Sequence, residues 1–93
     1  MVAVSLVGSD EQVFAGHCGI TGWAGERNGT PIAYSVCQHV AASGRPLVID
    51  DLRLDPFTSG MPTVNELGVL AYAGIPLVDG GGNLLGALCA LED

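Results

Sequence analysis

At 93 residues the chain makes one domain at most, and only 14% of it is charged, against roughly 25% in an ordinary soluble domain. It has no Lys, its basic residues beyond two His are Arg27, Arg45 and Arg53, and its formal net charge is −7. Phosphate backbones and anionic membrane surfaces both need clustered cations, so neither nucleic acid nor membrane is an expected partner; no apolar run approaches the ~20 residues of a membrane span.

In chain order, Val2 to Val7 is β-rich and apolar on both faces. It lacks the basic leader of a signal peptide, so it reads as a strand of a cytoplasmic protein. Gly8 to Gln12 is a turn, and Gln12 to Cys18 a second strand, giving a hairpin. Gly19 to Thr30 holds four glycines and no periodicity, which reads as a loop anchored by Trp23. Ser35 stands at a capping position with Gln38 at the capping-box spacing. Val36, Cys37, Val40 and Ala41 then share one face of a short helix. Gly44 is its expected stop and Pro46 forbids continuation. Pro46 to Asp50 is a short apolar strand, Asp51 to Pro62 a loop, and Pro62 to Leu67 one or two helical turns. Val69 to Val78 and Leu84 to Leu91 are strands joined by the turn Gly80-Gly81-Gly82-Asn83, the clearest hairpin in the chain.

The three cysteines, Cys18, Cys37 and Cys89, each stand in an apolar segment. An odd count without a CxxC reads as buried thiols used as small hydrophobes. No metal site is expected. Cys37 and His39 are two apart on a helix and point about 200° apart, while His17 and Cys18 fall on opposite sides of a strand.

The order hairpin, loop, helix, strand, short helix, hairpin resembles the centre of a GAF domain. The motif likeness is closer than the topology. A segment S-x-C-x-H-x-x-x-x-G-x-P-L-V-x-x-D of bacterial GAF domains is similar to Ser35, Cys37, His39, Gly44, Pro46, Leu47, Val48 and Asp51. Asp55-Pro56, the strand Tyr72-Ala73-Gly74-Ile75-Pro76-Leu77, then Gly86-Ala87-Leu88-Cys89 and the acidic Glu92-Asp93 continue the likeness through one domain over residues 1–93. The resemblance implies an α+β fold, GAF-like (profilin-like), with a central antiparallel sheet of about five strands and short helices and loops on one face. It also implies a non-catalytic, small-molecule-sensing module that works with an output signalling domain. Family members begin with a helix before the first strand and end with one after the last; neither is expected within these residues.

That expectation has a physical consequence. The last strand offers Leu85, Ala87, Cys89 and Leu91 to one face and Leu84, Leu88 and Ala90 to the other, so both faces call for cover. Leaving even ~400 Å² of apolar surface wet would cost roughly 10 kcal/mol. A homodimer through the uncovered face is therefore expected.

The residues read as ligand-binding are Trp23, Cys37, Asp51, Asp55 and Tyr72. The ligand and any cofactor are unknown at this stage. Trp23 and Tyr72 offer apolar rings with a polar tip, with core packing as the plainer role. Asp51 and Asp55 belong to the loop that the resemblance places at the pocket, and otherwise hydrogen-bond the loop backbone. Cys37 lies near a helix start, where the dipole lowers a thiol pKa. An alternative is therefore a relative of the GAF enzymes that reduce free methionine sulfoxide, but Asp55 to Asn65 lacks the loop cysteine those enzymes use. A purely structural dimerisation module is the third reading. His39 reads as hydrogen-bonded structure rather than a haem ligand, and the glycine turn lacks the Lys and helix of a phosphate loop.

Overall fold

The computed structural model describes residues 1–93. Six strands form one antiparallel sheet: β1 (Val2–Val7), β2 (Glu11–Cys18), β3 (Gly29–Pro31), β4 (Leu47–Ile49), β5 (Ala71–Val78) and β6 (Leu84–Glu92), in the spatial order β3-β2-β1-β6-β5-β4. Helices α1 (Gly22–Arg27), α2 (Cys37–Ser43) and α3 (Pro62–Asn65) and a 3-10 turn at Ile32–Tyr34 lie between strands. This is the expected α+β architecture with one strand more than the sequence suggests.

The extra strand and α1 both fall in the stretch read as a loop. Its glycines serve close backbone approach rather than flexibility. A Cβ on Gly25 would collide with the Ile20 carbonyl, and one on Gly29 with the Gln12 carbonyl. Helix α1 can fold against its own entry segment, and β3 can pair with β2, only because these positions carry no side chain. Neither role leaves a periodic signature.

Helix α2 begins at Cys37, and the Ser35 hydroxyl accepts from the Gln38 backbone N–H at 3.1 Å, as a cap should. The reciprocal half of the capping box is absent. Gln38 Nε2 instead donates to the Ser35 and Ile32 carbonyls at 2.8 and 3.0 Å. Gly44 takes the left-handed conformation at φ 67° and ends the helix. In the β5–β6 turn, the Asp79 carboxylate accepts from the backbone of Gly81 and Asn83 at 2.8 and 2.9 Å. That local bonding secures the hairpin without any phosphate.

The sheet has two unlike faces. On the inner face Ala3, Ser5, Phe14, Tyr72, Ala87 and Cys89 are buried beneath α2, α1 and the loops, in one core with Val36, Val40 and Leu52. A bulge in the β1–β2 pairing, opposite Val4 and Ser5, leaves Ala15 unpaired. It brings Phe14 and His17, three residues apart, onto the same face, and their rings meet edge-on at 5.9 Å. On the outer face the register aligns Val48, Ala73, Ala90, Val2 and Cys18 in one row across the sheet. Ile75, Leu88, Val4 and Gly16 form the next. Neither row holds a charge, and Val48 is 70% exposed. Cys18, expected to be buried, is exposed there, because nothing within the chain covers that face.

Candidate functional site

A cavity of about 110 Å³ lies between the inner face and the segments packed over it. Strands supply its floor: Gln12 and Phe14 from β2, Tyr72 from β5, Cys89 and Leu91 from β6. The cover comes from Ala24 of α1, Tyr34 of the 3-10 turn, Val36 and Cys37 at the start of α2, and Thr63 of α3. Most of the lining is apolar. An engineered cavity of roughly 150 Å³ admits benzene, so this volume suits a molecule of a few heavy atoms.

Two built networks lie among its polar groups. Gln12, almost fully buried, is the hub of the first. Its Oε1 accepts from the hydroxyls of Ser5 and Ser35, both at 2.8 Å, and its Nε2 donates to Thr30 Oγ1 at 2.7 Å. One carboxamide thus joins β1, β2, β3 and the entry to α2, and leaves no orphan among the four side chains. The Thr63 hydroxyl donates to the Tyr34 carbonyl and ties α3 to the 3-10 turn.

The second network is built of sulfur and phenol. Tyr72 donates its hydroxyl to Cys37 Sγ at 3.0 Å. Gly74, two residues on along the same face, makes this possible: a Cβ there would collide with the phenol. The Cys89 thiol, brought beneath α2 by β6, is the largest influence holding the Cys37 thiol below its ordinary range. Burial opposes it, and the Tyr72 and Ser5 hydroxyls add to it. Of the two thiols Cys37 therefore ionises first. Cys89 is pushed up, first by its hydrogen bond with Cys37 and then by burial. Tyr72 is raised by burial and by the charge that Cys37 acquires. No Lys, Arg or His lines the cavity, and Asp93 is the one acid that does.

Of the sequence candidates, Cys37 and Tyr72 meet at this cavity. Trp23 does not line it. Its ring packs edge-on against Tyr34, centroids 5.1 Å apart, with the Arg27 guanidinium 5.9 Å from its centroid. Asp51 and Asp55 stand elsewhere and bond their own loop. Asp51 pairs with Arg53 at 2.8 Å and accepts from its backbone N–H at 3.0 Å. Asp55 accepts from the Phe57 N–H at 2.8 Å and lines a separate open groove with His39 and Arg45. His39, expected to be held by hydrogen bonds, rests its ring beside Phe57 instead, centroids 5.9 Å apart.

Gln12 and Cys89 were not singled out from the sequence. The first reads as a turn polar residue. The second lies 52 positions from Cys37, so only the fold pairs them. The available signal was strand alternation, which sets Cys89 on the face of Ala87 and Leu91.

Compared with known families, the chain matches the profile described as GAF domain over residues 2–92. No curated protein matches it significantly.

Proposed function

We propose, on the premise that the chain belongs to the GAF domain family, that it is a non-catalytic, small-molecule-sensing regulatory module of bacterial signal transduction. GAF domains are typically small-molecule-binding regulatory modules. The observation that supports the reading here is the cavity of about 110 Å³ between the inner face and its cover. Its volume and the absence of any Lys, Arg or His from its lining argue for a small, uncharged, largely apolar ligand and against nucleotides. A cationic wall would be needed to offset a phosphate removed from water. In this reading the ligand lies over Tyr72 and Cys37, and its presence is felt by α2 and α3, which close the cavity.

Thermal shift of the chain tests it. A panel of small neutral ring compounds and short-chain alcohols, ketones and amides should contain members that raise the melting temperature in proportion to the logarithm of concentration. Nucleotides should leave it unchanged. Silence across the neutral panel, or a shift with nucleotides alone, would sink the reading.

The second part of the proposal concerns the outer face, which would pack against a second copy and pass the signal to an output domain. The support is the uncharged double row from Val48 to Cys18 and from Ile75 to Gly16, an apolar extent unusual for a free surface. Sedimentation should give a dimer, and Leu88→Lys should weaken it at least tenfold, about 1.4 kcal/mol or more. A monomer at all concentrations would remove this part.

A further inference from the structure

The cavity wall carries two thiols whose chemistry ligand sensing does not use. Cys37 and Cys89 are buried and come from different elements; the Tyr72 hydroxyl that reaches Cys37 Sγ lies over Gly74, the residue that pairs with Cys89 between β5 and β6. Both also line the cavity. Tyr72 donates to Cys37 Sγ at 3.0 Å. A thiol kept only as a small hydrophobe needs no donors. Here a neutral donor is aimed at one sulfur and a second sulfur stands in the same cavity wall, an arrangement that stabilises a thiolate and supplies its resolving partner. The third thiol, Cys18, lies on the opposite face of the sheet and is exposed, so it is excluded from the pair by the fold.

From this geometry we infer that Cys37 and Cys89 form a peroxide-sensitive dithiol in the cavity wall, with Cys37 attacking a hydroperoxide and Cys89 closing an intramolecular disulfide. The Cys37 sulfur takes one peroxide oxygen as the O–O bond breaks. With hydrogen peroxide the other oxygen leaves as hydroxide and becomes water with the proton of the Cys37 thiol. Cys37 is then a sulfenic acid. The Cys89 sulfur attacks it, the S–O bond breaks, the S–S bond forms, and the hydroxyl departs with the Cys89 proton as a second water. Two thiols lose two electrons and two protons, and one peroxide is reduced to two waters. The reaction is stoichiometric, a modification rather than a turnover. It joins α2 to β6 across the cavity, so it goes beyond the ligand-sensing reading and needs only the cavity's walls.

The sequence makes the test direct. Trypsin cleaves after Arg27 and Arg53 and is blocked at Arg45 by Pro46, so Cys18, Cys37 and Cys89 fall on the separate peptides 1–27, 28–53 and 54–93. The full chain, treated with hydrogen peroxide in buffer, should lose two hydrogens by intact mass and then take up a single alkyl group. It should yield peptide 28–53 linked to 54–93, with Cys18 alkylated on its own peptide. In urea the linkage should scatter over all three cysteines. Cys89→Ala should stop at a sulfenic acid on Cys37, trapped by dimedone. Oxidation of Cys18 with Cys37 and Cys89 still reduced, or the same linkage pattern in urea as in buffer, would overturn the proposal. So would a Cys89→Ala chain that folds but gives no dimedone adduct. The wild-type measurement needs no substitution, and ligand binding plays no part in it, so a silent thermal-shift panel and a missing disulfide are separate failures.

Discussion

The inner and outer faces of the sheet use the same six strands and much the same residue types, yet they are chemically unlike. The inner face alternates small apolar residues with buried polar ones, Ser5, Gln12 and Tyr72, each held by a partner. The central rows of the outer face have Val, Leu, Ile and Ala in register without a charge, and Glu92 stands beyond them opposite Ala71. Polar side chains held at fixed points give a cavity wall a defined geometry, because their hydrogen bonds are directional. A surface that needs only cover is served by area, which is non-directional. The difference supports the proposed roles, recognition on the inner face and association on the outer.

The largest expected break in this contrast comes from truncating one leucine on each side. Leu52 is 0% exposed, in the core beneath the cover; Leu52→Ala should cost about 3 kcal/mol in urea unfolding. Leu88→Ala, on the outer face, should cost the monomer under about 1 kcal/mol. Equal costs would mean that the outer face is already covered.

A smaller effect sharpens the polar side of the comparison. Gln12→Met keeps the length of the side chain but removes the acceptor shared by Ser5 and Ser35, both fully buried. Stability should fall by about 2 kcal/mol, and any ligand that raises the melting temperature should lose much of its effect. A neutral outcome in both measurements would reduce the network to packing.

The smallest effect belongs to the turn that joins β5 to β6, where both faces should respond alike. The Asn83 backbone N–H, then the Asn83 side chain and the Gly81 N–H, hold the Asp79 carboxyl below its ordinary value. Between the folded and unfolded pKa values the folded chain therefore binds fewer protons. The contribution is present above the usual carboxylate range and is lost as pH falls through the depressed value. Melting curves from neutral to strongly acid pH should show a shallower acid decline for Asp79→Ala than for the wild type. An identical decline would mean that the turn contributes nothing.

Much of the architecture was legible from local pattern. Both hairpins, the helix after Ser35 and its stop at Gly44 stand within a residue or two of their expected bounds, because alternation, capping and left-handed glycine act over short distances. The stretch from Gly19 to Thr30 was not legible. Gly25 and Gly29 are there for backbones that approach from Ile20 and Gln12, and a glycine looks the same whether it bends a loop or admits a neighbour. The site was half legible. Cys37 and Tyr72 were found and are joined at 3.0 Å, whereas Trp23, Asp51 and Asp55 stand away from the cavity. The two carboxylates are spent on their own loop, a use their position among turn residues already allowed.

Family, element order and the double-sided apolar strands were thus readable from residue type and spacing, since each depends on neighbours along the chain. Which face would be covered, how Gln12 gathers three hydroxyls, and that Cys37 and Cys89 would share one cavity wall were settled only by tertiary packing. Register and the β-bulge beside Val4 and Ser5 decide where each side chain points. A shift of one residue in that register would have sent every partner of the site to the other side of the sheet.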